Sequence, residues 1–465
     1  MSEKIASINS VVNSFIWGVP AMICIIGVGI LLTVRTRCIQ VRKFGVAMKN
    51  TIGKIFDKTQ ARDGSMSPFQ AVCTALAGTV GTGNIAGVAG AIALGGPGAI
   101  FWMWCSAFLG MCTKFSEVTL AIHFREKNKN GEYVGGPMYY IKNGLSKKWH
   151  FLAVFYAVFG VLTVFGTGNA TQVNTIVSSV NTALMNFNVL KGEPNSNVNL
   201  IFGIFIAALV AMVLLGGIKR IGQVSEKLVP FMAVLYVILA LGVIILNIQR
   251  VPGVFAQIVS GAFTPRAATG GIIGSMFLSM KKGVSRGIFS NEAGLGTAPM
   301  AHAASTAETP LVQASIGMLD VFIDTIIVCS MTGFVILVTG TWTAGSSAAS
   351  MMTSMAFEQA LPGVGQFAVT ICLTFFAFTT ILGWCVYGER CAIYLFGDRA
   401  QMVFRLVYCL AVGVGSVLAL DAVWLLADTC NALMALPNLT GVLLLSPVLF
   451  KIVRDEVARD DRFVV

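Results

Sequence analysis

The stretch Ala75-Leu76-Ala77-Gly78-Thr79-Val80-Gly81-Thr82-Gly83-Asn84-Ile85-Ala86-Gly87-Val88-Ala89-Gly90 is apolar enough to lie in lipid and too rich in glycine to cross it as one uniform helix. Glycine costs a helix interior about 1 kcal/mol per position relative to alanine. Three glycines within residues 78–83, followed directly by Asn84, therefore predict a local unwinding at mid-membrane. Glycines in membrane helices also permit close packing of small residues, and for this one stretch the two readings stand level. What surrounds it separates them.

The composition is that of a membrane protein. Hydrophobic residues make up 56% of the 465 positions and charged residues 11%, where a soluble domain carries about 25%. Mean hydropathy is +0.79. Eleven apolar segments are long enough to cross the hydrocarbon core: 12–34, 68–95, 97–123, 151–181, 199–217, 226–248, 270–301, 309–340, 364–388, 401–420 and 422–450. Apolar runs of this length are helices, not barrel strands. The expected fold class is thus an all-α polytopic membrane protein with about 11 transmembrane helices, in one domain spanning 1–465.

The charge of +11 does not point to nucleic acid. Basic residues gather in alternate loops: Arg35 to Arg62, Arg125 to Lys148, Lys219 to Lys227, Arg390 to Arg405 and Lys451 to Arg462, with Lys281, Lys282 and Arg286 assigned to the inner end of segment seven. The positive-inside rule then places the N-terminus outside and the C-terminus in the cytoplasm. Met1-Ser2-Glu3-Lys4 and the apolar helix after it lack a small-residue cleavage site, so segment one is read as a retained anchor. The eleven cysteines show no paired CxxC and read as packing residues. No HExxH, GxSxG or Walker A pattern supports an enzyme.

A second interruption settles the reading of the first. Segment seven carries Gly270-Gly271 and Gly274, then Gly283 and Gly287, then Ser290-Asn291-Glu292-Ala293-Gly294-Leu295-Gly296. Each interrupted segment opens a block of five helices, 68–248 and 270–450, and an odd number per block inverts one block against the other. Paired breaks at matching places in inverted halves mark the site of a secondary transporter. A zwitterion there needs amides for its carboxylate and carbonyls for its ammonium, and helix ends at a break offer both. The amides of Thr82 and Gly83, with Asn84 beside them, are expected to hold the carboxylate. Carbonyls near Thr79, Leu278 and Ser279 are expected to take the ammonium, with the break in segment seven placed there or at Gly287. A desolvated sodium ion needs several oxygens, and the carbonyls of Ala77 and Val80 supply two.

Three further segments contribute candidates. In segment nine, Thr379 and Thr380 flank one point, and Trp384, four residues after Thr380, limits the pocket to a small side chain; bonding to the i−4 carbonyl and core packing are the competing readings. In segment four, Phe165, Asn169 and Gln172 share a face at i, i+4, i+7, and are read as substrate contacts over interhelical glue. In segment eight, Asp320 and Asp324 carry coupling or pair structurally with Arg286 or Lys282, the structural reading being favoured; Glu292 is a gate or cap. Lys114 and Glu117 read as an ion pair, and His123, His150 and His302 as isolated.

At these same residues the sequence resembles the alanine or glycine:cation symporter family. Thr79 through Val88, Gly95-Gly96-Pro97-Gly98-Ala99-Ile100-Phe101-Trp102-Met103-Trp104, and Arg286 through Gly296 carry the resemblance, with Cys105 standing where an aliphatic residue is usual. The resemblance implies a five-plus-five inverted repeat, the LeuT fold, with the extra N-terminal helix 12–34. It implies import of alanine, glycine or a related small neutral amino acid with sodium, or with protons or a glutamine-like substrate as the alternative. By similarity to the wider fold, Ala77, Val80, Thr379 and Thr380 match one common sodium site, with Phe376 assigned to the same site. Phe277, Gly283 and Trp384 match positions near the substrate. The expected location is the plasma (inner) membrane of a prokaryote, with the lipid bilayer as partner, no nucleic acid and an open oligomeric state. An ion channel and a membrane enzyme are the rival classes.

Overall fold

Caps and cuts set the architecture. The computed structural model describes residues 9, 11–13, 16, 19–51, 53, 66–186, 196–263, 266–268, 272–274, 276–346, 349, 351–418 and 420–459. The expectations placed on Met1–Lys4, on Arg62 and on Gly270-Gly271 lie outside these residues. After α1 (Val19–Arg35), Ser67 opens the helix that carries the first break. Its Oγ accepts from the amide of Gln70 and its amide donates to Gln70 Oε1, both at 3.1 Å. This reciprocal cap, with Pro68 in the first turn where no donor is needed, starts α2 (Pro68–Thr79). α2 ends where Val80 turns extended, and the chain resumes in a π turn, Gly83–Gly87, that feeds α3 (Val88–Gly95). The two halves are bent by 51°.

Further helices are α4 (Ala99–His123), α5 (His150–Phe165), α6 (Thr171–Asn186), α7 (Ser196–Leu214), α8 (Gly217–Leu246), α9 (Met276–Asn291), α10 (Ala298–Ala303), α11 (Pro310–Val321), α12 (Ser330–Thr339), α13 (Gly365–Phe396), α14 (Ala400–Gly415), α15 (Leu420–Leu444) and α16 (Ser446–Arg459), with additional helices at Ile39–Arg42, Phe44–Thr51, Pro137–Gly144, Val251–Phe263 and Met352–Ala360 along the chain. π turns join α5 to α6 at Gly166–Ala170 and α11 to α12 at Phe322–Cys329. Short strands pair Glu126–Lys127 with Tyr133–Val134 and Arg266–Ala268 with Ile272–Gly274, and the described helix of segment seven is α9, from Met276.

Among the described residues, six helices are long and apolar enough to span, or eight when each bent pair counts as one; Met22–Arg35 and Ala400–Gly415 are apolar but shorter. The expected count of eleven is not reached on this measure: among the described residues Met22–Arg35, Ala400–Gly415 and the 16-residue α9 are shorter than the bilayer requires. The centre is built from α2, α4, α9, α11 and α13. α4 packs on α9 and α11, α13 on α2, α5 and α6, and α8 on α2 and α13. Outside them, α7 and α8 show Ile201, Phe205, Phe231 and Ile238 outward, as lipid-facing helices do.

Candidate functional site

The end of α2 lies directly against α13. A Cβ at Gly383 would fall 2.5 Å from the Gly78 nitrogen, so only glycine lets these backbones meet. That approach brings side chains of α13 onto the loose end of α2. Trp384 Nε1 donates to the Gly78 carbonyl at 3.1 Å, and the Tyr387 hydroxyl donates to Ala75 O at 3.3 Å. Thr380 Oγ1 donates to Phe376 O at 2.8 Å and reaches Val80 O at 3.4 Å. Thr379 Oγ1 rests on the carbonyls of Phe375 and Phe376 and on Met232 Sδ. The structure thus gathers Val80, Phe376 and Thr380, with Ala77 in the same turn of α2, while the Thr379 hydroxyl turns toward α8. All these donors are neutral oxygens, the type that suits a hard monovalent cation.

A second polar cluster lies across the break. Asn84 spans it: its Oδ1 accepts from the Gly81 amide at 2.8 Å, and its Nδ2 donates to Asp324 Oδ1 at 2.6 Å. Ser290 Oγ donates to the same Asp324 oxygen at 3.0 Å, and Thr325 Oγ1 to the other at 2.8 Å. Asn291 Nδ2 donates to Thr325 Oγ1 at 3.0 Å, and Thr332 Oγ1 donates to Asn84 O at 2.7 Å. Asp324, Asn84 and Ser290 are buried. Asp324 is therefore bonded to the first break and to the end of α9, not to Arg286 or Lys282 as the structural reading had it.

The break in segment seven falls later than the glycine count suggested. α9 runs without interruption through Leu278, Ser279, Gly283 and Gly287 to Asn291. The chain then turns at Glu292, Gly294 and Gly296, all at positive φ, before α10. Positive φ removes these residues from a right-handed helix, whereas Gly283 and Gly287 serve close packing on α4: a Cβ at Gly283 would lie 2.3 Å from Ala99 O. Phe277, 46% exposed, and Ser279, whose buried Oγ has no partner among the described residues, are not brought to the break. The last turn of α9, with Phe289, Ser290 and Asn291, takes the place expected for 277–283. Ser290 Cα lies 3.6 Å from where a Gly83 Cβ would be. Glu292 accepts from Thr297 Oγ1 at 2.5 Å and holds the turn.

Segment four divides. Gln172 Nε2 donates to Thr82 Oγ1 at 3.3 Å and so touches the break. Asn169 instead donates to Tyr408 O at 2.9 Å, and the Phe165 ring packs on Phe404 and Tyr408, so both serve the contact with α14. The π turn at Gly166–Ala170 inserts a residue between them and Gln172, which breaks the i, i+4, i+7 face. Beside Thr82 and Gly83 opens a cavity of about 780 Å³ whose walls include Thr175, Phe289, Arg286, Thr370 and Asp428. Arg286 on this wall, and Lys282 against Gly95, place the basic residues of α9 at the end of the bundle opposite the 124–149 loop, not at the inner end assigned to them.

Two buried groups were misjudged from sequence. His302 is not isolated: its Nε2 bonds Asp320 Oδ2 at 2.8 Å and its Nδ1 bonds Gln313 Nε2 at 2.7 Å. Gln313 donates to Nδ1, so Nε2 carries the proton toward Asp320. The spacing of 18 residues hid the pair. Lys114 and Glu117 form no ion pair among the described residues; Glu117 accepts instead from Asn438 Nδ2 at 2.5 Å.

The family model described as the sodium:alanine symporter family matches residues 2–461. The chain belongs to that family. It is similar to the sodium/alanine symporter AgcS of Methanococcus maripaludis, with 44% identity over 95% of each chain. It is also similar to an uncharacterized transporter of Haemophilus influenzae, with 46% identity over 98% of this chain and 97% of the relative. Among solved structures, MhsT in complex with L-phenylalanine superimposes with a TM-score of 0.55 at 12% identity, over 84% of this chain and 99% of that one. That likeness shows the fold: this symporter-family chain has the LeuT-type arrangement, with its two broken helices at the centre.

Proposed function

We propose that the chain carries a small neutral amino acid, alanine or glycine, into the cell together with sodium, by alternating access. The observation that carries the reading is the junction of two broken helices at Thr82, Gly83 and Ser290, beside a mainly apolar cavity with hydroxyl groups on its walls and flanked by two oxygen-rich clusters. Sodium is held by Val80, Phe376 and Thr380 with Ala77, and Asp324 provides a charged oxygen set across the break. The substrate carboxylate sits on the free amides at Thr82 and Gly83, where the helix resumes. Its ammonium sits on carbonyls of Thr79 and of the last turn of α9, with Gln172 and Trp384 bounding the side-chain pocket. Sodium ties the end of α2 to α13, the amino acid then bridges both breaks, and the bundle rocks about them.

The cavity opens at the end of the bundle away from the basic loops, which by the positive-inside rule is the outside. The N-terminus then lies outside and the C-terminus in the cytoplasm, with repeats 68–248 and 270–450 inverted. The test is uptake of labelled alanine into proteoliposomes with and without an inward sodium gradient, with glycine, glutamine and leucine as competitors. Sodium-driven uptake blocked by glycine is the expected result. Uptake driven by a proton gradient alone moves the ion assignment, competition by glutamine but not glycine moves the substrate, and ion current without uptake refutes the carrier.

A further inference from the structure

A second cavity, of about 590 Å³, opens among the basic loops at the 124–149 end of the bundle. Its wall divides by depth. Val154 stands in the second turn of α5, and Ile393 and Leu395 in the last turn of α13, so the floor is apolar and belongs to long apolar helices. The rim is charged and belongs to the connections: Lys127 and Lys129 of the 126–134 hairpin, Lys142 of the helix Pro137–Gly144, and Glu126 and Asp398.

The floor is continuous with the surface that faces lipid. Phe151, Val154, Phe155, Val158 and Leu162 recur at helical spacing on α5 and are all exposed. Val154 belongs both to this stripe and to the cavity. Lys147, Lys148 and Trp149 stand just ahead of α5, and Phe396 at the end of α13 is exposed. Lysine and tryptophan next to an apolar helix mark the level of the lipid headgroups, so the cavity straddles that level.

The rim keeps positive charge to spare. Lys142 Nζ is paired with Glu126 Oε1 at 2.9 Å, and the same carboxylate accepts from Asn143 Nδ2 at 2.8 Å. Asp398 Oδ2 accepts from the Lys129 amide at 3.3 Å. The ammonium groups of Lys127 and Lys129 have no carboxylate partner among the described residues. They are presented by a braced hairpin: Lys127 is paired with Tyr133 across the strands, and Glu132 accepts from Nη1 of Arg390 in α13 at 3.1 Å. A water-soluble anion has no use for the floor, and a bare hydrocarbon has none for the lysines. Only an anionic head on an apolar tail uses both.

We propose that this cavity binds an anionic phospholipid, with its phosphodiester on Lys127 and Lys129 and an acyl chain leaving over Val154 along the exposed stripe of α5. The bound lipid ties the hairpin to α13, the helix that carries Thr380 and Trp384, and stabilises the folded chain by mass action. The proposal goes beyond the transport reading and depends on neither the substrate nor the coupling ion.

The test uses the full chain in detergent, stripped of lipid. Binding of dioleoyl phosphatidylglycerol, dioleoyl phosphatidylethanolamine and glycerol phosphate is followed by native mass spectrometry and by the unfolding temperature. Phosphatidylglycerol is expected to bind roughly tenfold more tightly than phosphatidylethanolamine and to raise the unfolding temperature. Lys127 and Lys129 are exposed, so Lys127→Gln with Lys129→Gln leaves the fold intact. This double change is expected to weaken phosphatidylglycerol binding roughly tenfold, whereas Lys219→Gln with Lys227→Gln, in another basic loop, is expected to change it by less than about twofold. Val154→Trp fills the floor and is expected to weaken binding about threefold. Equal affinity for the two lipids, an equal loss in both lysine pairs, or a Val154→Trp protein that binds as the parent does overturns the proposal. Glycerol phosphate that displaces the lipid at equal concentration shows a site for a free anion and overturns it as well.

Discussion

Replacing Thr380 by valine removes one oxygen from the junction of α2 and α13 and little else. The Thr380 hydroxyl makes its short bond, 2.8 Å, to Phe376 O four residues back in its own helix, and faces Val80 O at 3.4 Å. A valine methyl at that distance from Val80 O is in ordinary contact, and the back-bond adds little to helix stability, so folding stability is expected to change by less than about 1 kcal/mol. Sodium binding loses a ligand. A hydrogen bond or dipole acting on a charged group contributes about 1.5–3 kcal/mol net, and about 1.4 kcal/mol is a factor of ten. The sodium half-saturation for labelled alanine uptake is therefore expected to rise roughly 10- to 150-fold. Thr379→Val, whose hydroxyl lies on Met232 Sδ and its own helix carbonyls, is expected to shift it by a much smaller factor. The assay is a sodium titration of initial uptake rates at fixed alanine, with size-exclusion profiles confirming a folded protein. A folded Thr380→Val protein whose half-saturation stays within twofold of the parent refutes the assignment of Val80 and Thr380 to the cation.

Gly383→Ala puts a methyl 2.5 Å from the Gly78 nitrogen; forced apart, α2 and α13 are expected to lose about 1–3 kcal/mol of stability, read as a lower unfolding temperature in a thermal-shift assay. Trp384→Ala opens space between Gly78 and Gly168 and is expected to let leucine compete with alanine uptake, while an unchanged competition profile returns Trp384 to a packing role. His302→Ala removes the donor that bonds Asp320 Oδ2 at 2.8 Å, and leaving that buried oxygen unsatisfied is expected to cost about 1–3 kcal/mol. Denaturation of the detergent-solubilised protein measures that loss, and His302→Gln, which keeps a donor, is expected to recover part of it.

Much of this site was readable along the chain because a local cause produced it. Glycines at 78, 81 and 83 followed by Asn84 weaken one helix regardless of its neighbours, and α2 ends at Thr79, inside that stretch. The length of the apolar runs follows from lipid as solvent, and membership of a symporter family agrees with a multi-pass membrane protein. The second break was harder. Segment seven has two glycine groups, and the energetic cost of glycine is the same in both. Gly283 and Gly287 are consumed by packing on α4, where a larger residue has no room, while Glu292, Gly294 and Gly296 take positive φ.

Partners distant in sequence were decided only by tertiary structure. His302 and Asp320 are 18 residues apart, Asn84 and Asp324 are 240 apart, and no local spacing announces either pair. The π turn at Gly166–Ala170 changed which side chains of segment four share a face, sending Asn169 to α14 and leaving Gln172 at Thr82. Bilayer residence and the interruption of the helix at 68–95 near Gly81 follow from the residues alone, because those depend on transfer from water and on backbone cost. Which oxygens converge on one point, and which buried charges face each other, only the packed bundle decided, because those depend on helix rotation and close approach between segments hundreds of residues apart.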